Sequence, residues 1–311
     1  MGKRILYSVL TFLLVTVIIF TIFQFIPGDP VLSKVGVEPD PALEQALRVE
    51  FGLDKPVLQR YFNWFGNLLH FDMGTSIRYN LPVNELIAER LPNTLGLAIM
   101  AFIIVVFAGI PIGVFAARLN NTRWGIIFNA FTQTGIAIPV FFFAMILIII
   151  VCIKLQWLPV SSYVPVTEGF LPFIKGMLLP AIAVSFSGVS ITVRYVRNSI
   201  TEELQNDYVL VARNKGVKEH DILYKHVFRN AMIPIVTILG MIFVSIVTGS
   251  IIIETVFSIP GIGSLLIAAI KTSDLTLTQG ICVYISIVVI LAYLLLDLLY
   301  MIIDPRIRLK E

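Results

Sequence analysis

The sequence predicts an all-α membrane protein with six transmembrane helices, both termini cytoplasmic, short helices on the outer face and a helical loop on the inner one. Three observations predict it. The 311 residues are 57% hydrophobic and only 14% charged, with a mean hydropathy of +0.90, whereas a soluble domain carries far more charged surface. Six apolar runs are long enough to cross a bilayer core, which takes about 20 helical residues. Basic residues gather in alternate connecting segments, which fixes the sidedness.

The first run, Ile5–Ile26, follows Lys3 and Arg4. Its apolar core is too long for a signal peptide, and no small-residue cleavage site follows, so it reads as a retained span. Leu95–Ala117 is the second run. The third, Gly125–Ile153, is longer than needed and holds Gly135 and Pro139, which predicts a bend or a tilt. The fourth, Gly176–Val193, is short and rich in Ser, Thr and Gly. Met232–Val256 and Ile281–Ile303 complete the set. The chain therefore divides into a first span (1–26), an external loop with short helices (27–94), a five-helix core (95–303) containing a cytoplasmic loop (194–231), and a cytoplasmic tail (304–311).

The external loop opens on PGDP, a turn signal. ALEQALRVEFG and PVLQRYFNWFGNLLHFDMG then mix apolar and polar residues at helical spacing. Tyr61, Phe62, Trp64 and Phe65 suit a membrane interface, so short helices lying on the outer face are expected. A smaller outer loop runs from Lys154 to Phe173. With the N-terminus inside, the inner segments hold Lys3, Arg4, Arg118, Arg123, Arg194, Arg197, Arg213, Lys215, Lys218, Lys225, Arg229, Arg306, Arg308 and Lys310.

Several chemistries have no signature here. There is no phosphate-cradling G-x-x-x-x-G-K-[ST] loop, no G-x-S-x-G elbow and no H-E-x-x-H. The chain does not read as an enzyme, and any ATP hydrolysis that drives it belongs to another chain. Cys152 and Cys282 lie inside apolar runs and read as small buried hydrophobes. His70, His220 and His226 are scattered, so no metal site is expected. Ionisable residues within spans mark proton and ion relays. Here the spans hold Asp297, near the inner end of the sixth, and Glu254, at the outer end of the fifth. Asp297 reads either as snorkelling to the inner surface or as functional. The near absence of such residues argues against an ion-coupled secondary transporter working alone.

The stretch YVLVARNKGVKEHDILYKHVFRNAMIP, Tyr208 to Pro234, separates two spans. Leu204, Tyr208, Val211 and Ala212 share one helical face, with Glu203, Asp207 and Asn214 off it. Val217, Tyr224, Val227, Phe228 and Ala231 share another. Gly216 between them can end a helix in a left-handed conformation, giving helix, sharp turn, helix. Three roles fit such a knob: it lies on the inner lipid surface, it is a solvated charged face, or it docks into a groove on a cytoplasmic partner.

These residues carry a resemblance. DYVLVARNKGVKEHDILYKHVFRNAMIP resembles the cytoplasmic "EAA" loop of the permease subunits of bacterial ABC importers of the dipeptide, oligopeptide and nickel type. Leu210, Val211 and Ala212 stand where the general motif has Glu-Ala-Ala. ETVFSIPGIGSLLIAAI, DPRIRL, FIPGDP, RLPNTL and DMGTS resemble further features of that family, in the expected order and over the whole chain. The resemblance implies the type I ABC importer permease fold. It also implies a second homologous permease, two ABC ATPase subunits, an external solute-binding protein and a bilayer, with no nucleic acid. ATP and Mg would be bound by the ATPase subunits and no cofactor by this chain. It implies a multi-pass protein of the bacterial plasma membrane.

The resemblance makes the knob a coupling helix, with Asp207, Tyr208, Ala212, Arg213, Lys215 and Gly216 as its ATPase-coupling residues. Leu204–Ala212 would supply the buried face, Arg213 with Lys215 and Asp207 charged rim contacts, and Gly216 the angle. Polar residues of the spans would line a path at the interface of two permeases: Thr132, Gln133 and Thr134, then Ser185, Ser187, Ser190 and Thr192, then Ser245 and Thr248. Helix–helix packing explains hydroxylated residues equally well. Peptides delivered by the binding protein are the expected cargo. Nickel chelates and oligosaccharides are the alternatives within the family, and a stand-alone transporter or a membrane scaffold outside it.

Overall fold

The computed structural model describes residues 2–25, 45, 48–49, 54–119, 122–159 and 163–303. FIPGDP, most of ALEQALRVEFG, Ser161 and the tail DPRIRL lie partly or wholly outside them. The main helices are α1 (Gly2–Phe25), α2 (Val57–Leu69), α3 (Val83–Arg118), α4 (Arg123–Ala137), α5 (Val140–Lys154), α6 (Phe170–Glu203), α7 (Asp207–Asn214), α8 (Phe228–Val256), α9 (Ile262–Lys271) and α10 (Leu275–Ile303). Among the described residues, five helices are long and apolar enough to span a membrane, and α4 with α5 forms a sixth candidate bent by 102°.

The bend has a local cause. Pro139 disfavours the α conformation at the residue before it, and Ile138 accordingly sits at φ −74°, ψ 123°. Pro139 then opens α5 from its N-cap position. The second span begins at Val83 rather than Leu95 and carries Pro92 inside it. RLPNTL is therefore helical rather than part of a loop. The fourth span is longer than its apolar run, at 34 residues, and the most buried of all. Its small and hydroxylated residues suit close packing against neighbouring helices.

The chain divides into two compact units: Met1–Asn93 with Pro260–Leu294, and Thr94–Ile259 with Leu295–Glu311. In the first, Tyr61, Trp64 and Phe65 of α2 fall on one face. That face packs on α1, where Phe20 lies 5.3 Å from Tyr61 and 5.6 Å from Trp64 between ring centres. The aromatic residues assigned from sequence to the membrane interface thus largely serve a helix–helix contact, while Phe62 stays exposed. Asp274, 1% exposed, anchors the loop after α2. Its carboxylate accepts from Ser76 Oγ at 2.6 Å and from the Arg78 backbone N–H at 3.1 Å. It also accepts from Leu277 N at 3.0 Å, which caps α10.

In the second unit α6 is the central helix, packed by α3, α4, α5 and α8. Gly109 and Gly113 give α3 a G-x-x-x-G face, which lets helix backbones approach closely. A Cβ on Gly113 would lie 2.6 Å from Val196 Cβ, and one on Gly109 2.8 Å from Thr192 Cβ. Phe143 of α5 stacks on Phe186 of α6 at 3.7 Å. Glu254 is fully buried and accepts a hydrogen bond from Thr94 Oγ1 at 2.6 Å.

Arg118 ends α3. Its guanidinium carbon sits 5.2 Å from the ring centre of Tyr224, in the helical run that leads into α8. The end of α3 and the start of that run therefore share one side of this unit. At 1.5 Å per residue α6 is about 51 Å long, long enough to cross a membrane once, and the bent α4–α5 pair is the other candidate span between the two.

Candidate functional site

The loop between α6 and α8 is the first candidate. After Glu203 the helix breaks over Leu204–Asn206 and restarts as α7. The break resets the helical phase. Val209 is fully buried, and Leu204 and Ala212 pack against the same core. Leu210 and Val211 stand 59% and 49% exposed. The face expected from periodicity is thus half right: Leu204 and Ala212 point inward, Tyr208 and Val211 do not, and Val209 takes their place.

Gly216 ends the loop's first helix as expected, at φ +78° with open space around it. Its N–H donates to Arg213 O at 2.9 Å, and Val217 N–H donates to Ala212 O at 3.2 Å. This paired arrangement is the Schellman motif, and its left-handed residue is tolerated best as glycine. The second helix is not a separate element. Glu219–Asp221 and the π-helical Ile222–Val227 run without a break into α8. Val227 and Ala231 are buried, Val217 and Phe228 pack on the core, and Tyr224 remains exposed.

Charges lock the knuckle from within. Arg213 donates to Glu219 through Nε at 2.7 Å and Nη2 at 3.2 Å, a fork across the Gly216 turn. The hydrogen bonds hold the Glu219 carboxyl below the usual carboxylate range and push the Arg213 guanidinium further up. Arg213, expected at a partner's rim, is thus engaged within the chain. Asp207 is exposed in the first turn of α7, where a carboxylate suits the helix dipole. Lys215 is exposed at the C-cap.

Tyr208 Oη donates to Glu203 Oε1 at 2.8 Å. Asn230 Nδ2 reaches the same oxygen at 3.1 Å and Tyr208 Oη at 3.4 Å. This three-residue hub joins α6, α7 and α8. Burial, then the bond to Glu203, pushes the Tyr208 phenol up. Asn230 and Glu219 carry no signal in sequence, since their partners lie across turns that periodicity does not resolve.

The second candidate is a cavity of about 600 Å³ between α6, α8 and the α4–α5 bend. It brings together two of the expected path residues, Ser187 and Ser245. The others lie elsewhere. Thr132, Ser185, Ser190 and Thr192 are buried and donate to carbonyls of their own helices at 2.8–3.0 Å, which is the packing role. Gln133 is exposed outside this cavity. Thr134 and Thr248 are exposed too, and their hydroxyls bond to Ala130 O and Val244 O. Sequence reasoning missed Arg194, Tyr195 and Asn198, which line the cavity from α6. The apolar run stops at Val193 and predicts a loop from Arg194 onward, whereas the helix continues to Glu203.

A family model described as "Binding-protein-dependent transport system inner membrane component" matches residues 109–309. The chain belongs to this family. A model of the N-terminal part of such membrane components matches residues 1–98. Among curated relatives, a putative peptide transport system permease protein of Brucella abortus is 35% identical over 306 residues. The oligopeptide transport system permease protein AppB of Bacillus subtilis is 36% identical over 315 residues. A probable peptide ABC transporter permease protein of Sinorhizobium fredii is 33% identical over 306. In all three pairs 98% of each chain is covered. As a member of the binding-protein-dependent family, the chain is a multi-pass inner-membrane permease subunit. Its general partners are an ATP-hydrolysing subunit and a binding protein.

Proposed function

We propose that the chain is one of two permeases in an ATP-driven importer of peptides delivered by an external binding protein. The peptide cargo rests on the names of the relatives just described. The chain pairs with a second, homologous permease, and two ATPase subunits that bind ATP and Mg sit beneath. Both termini are cytoplasmic. The adjacency of Arg118 and Tyr224 supports this topology, because it agrees with the bent pair being a crossing and with an even total of spans. On this reading Arg118 and Arg123 share a side with Lys215, Lys218 and Lys225, as positive-inside sorting favours.

The helix α7 is the coupling helix. The observation that carries this is the pairing of opposite faces on one short helix: Val209 is fixed in the core while Leu210 and Val211 are left uncovered. An anchored helix with an unpartnered apolar edge suits a groove on a separate subunit. The Glu203–Tyr208–Asn230 hub then passes its displacement to α6 and α8, both of which wall the cavity. Ser187 and Ser245 belong to one half of the path, completed by the second permease. Transport is alternating access, in which nucleotide binding shifts a two-state equilibrium.

The test is genetic and biochemical. Deleting the chain abolishes uptake of labelled di- to pentapeptides, and restoring it restores uptake. Affinity-tagged chain brings down an ATPase pair from detergent extract. Peptide uptake that survives deletion, or a tagged chain that transports alone in liposomes, overturns the reading.

A further inference from the structure

The cavity carries an asymmetry that its role as a path does not require. Arg194 and Asn198 stand one turn apart on the same face of α6 and line it together. Among the described residues, no Asp or Glu lines it. Among the described residues Arg194 has no salt-bridge partner. The remaining wall is mostly apolar, from residues such as Ile191, Met241 and Ile246.

A guanidinium stays charged at every relevant pH. Arg194 is exposed within this chain, so beside the apolar wall its charge is met by water or by an anion rather than by a side chain of its own. Arg194 precedes the end of α6 at Glu203 by nine residues, about 14 Å of helix rise. Its fork of N–H donors matches a carboxylate in two parallel hydrogen bonds. The Asn198 amide adds a donor one turn on, and the Ser187 and Ser245 hydroxyls add small polar points.

We propose that Arg194, supported by Asn198, reads a free carboxylate on the cargo as it passes through the cavity. The inference rests on the peptide reading above and deepens it: the group read is the peptide's terminal carboxylate, and the apolar wall accommodates variable side chains without selecting among them. Arg194 is thus a specificity-determining residue separate from any selection by the binding protein.

The experiment uses the assembled permease–ATPase complex in nanodiscs without binding protein. Ser245→Cys in a background lacking Cys152 and Cys282 is alkylated by a maleimide in the presence of a tripeptide or its C-terminal amide. The free acid is expected to slow alkylation at least tenfold more than the amide, and Arg194→Gln to erase that difference. Arg194→Lys keeps the charge without the fork and is expected to retain part of it. Co-purification with the ATPase subunits serves as the folding control for each variant. Equal protection by acid and amide, or an undiminished difference in Arg194→Gln, overturns the assignment. Uptake by the complete system in liposomes separates the two failures. If the unmodified system carries no peptide, the peptide reading falls and this inference with it. If it carries peptides while the cysteine result is negative, only the role of Arg194 falls.

Discussion

The Arg118 guanidinium lies over the ring of Tyr224, 5.2 Å from its centre, although the two residues belong to helical runs separated by two further membrane segments. Such cation–π contacts are worth about 0.5–1 kcal/mol when exposed, but their topological content is larger. The contact fits α4 and α5 crossing as one bent span. Single cysteines at Arg123 and Lys215, in a background free of Cys152 and Cys282, are therefore expected to react with an impermeant thiol reagent from the same side. Labelling from opposite faces would make the bent pair a re-entrant loop and overturn the six-span topology.

Asn230 and Tyr208 converge on one oxygen of Glu203. Each hydrogen bond contributes roughly 0.5–1.5 kcal/mol net, too little to decide folding but enough to loosen a joint. Tyr208→Phe and Asn230→Ala are expected to leave the chain abundant and assembled while cutting uptake per ATP hydrolysed several-fold. Unchanged coupling in the double variant would remove the hub from the transmission path.

Much of this architecture was legible in the sequence, for identifiable reasons. Apolar length and loop charge reveal spans because the bilayer forbids other solutions. Gly216 was readable because a left-handed helix end favours glycine, and Pro139 because it disturbs the residue before it. The limits of α3 and α6 were not readable. Both helices run beyond their apolar cores through polar residues such as Glu89 and Arg194, and hydropathy marks only the apolar part. The phase of α7 escaped because the break at Leu204–Asn206 resets the periodicity. The cavity wall escaped because a hydroxyl bonded to its own helix and one facing open space look alike in sequence.

The Gly113 contact predicts a steric lesion. A Cβ there meets Val196 Cβ at 2.6 Å and the Val193 carbonyl oxygen at 3.0 Å, so backbone as well as side chain must move. Overpacking of this kind costs about 1–3 kcal/mol. Gly113→Leu is expected to lower the melting temperature in detergent and reduce yield, with Gly113→Ala intermediate. A fully stable Gly113→Leu would show that α3 and α6 are not held at this distance.

The Arg213–Glu219 fork predicts a local pH response. Glu219 is held below its ordinary value, so the fork's contribution is complete above the usual carboxylate range and is lost as pH falls through the lowered value. Arg213, already pushed up, does not titrate in this window. Both groups are substantially exposed, and such pairs contribute only about 0.2–1 kcal/mol. The expected readout is therefore local: amide exchange around residues 213–219 accelerates on acidification, and Glu219→Gln shows the faster exchange already at neutral pH. Exchange that is flat with pH and unaltered by the substitution would rule the brace out.

Adjacent residues of α7 give the sharpest contrast. Val209 is fully buried, and its burial is worth about 1.5–3 kcal/mol. Val209→Ser should therefore destabilise the chain and reduce its abundance. Leu210 and Val211 are exposed, and surface changes usually stay within about 0.5 kcal/mol. Leu210→Ser combined with Val211→Ser should leave melting in detergent nearly unchanged while lowering recovery of the ATPase subunits at least tenfold. The double variant thus separates a docking edge from a folding element. If it binds the ATPase subunits as well as the unaltered chain does, the groove contact lies elsewhere, and α7 serves only to close the loop between α6 and α8.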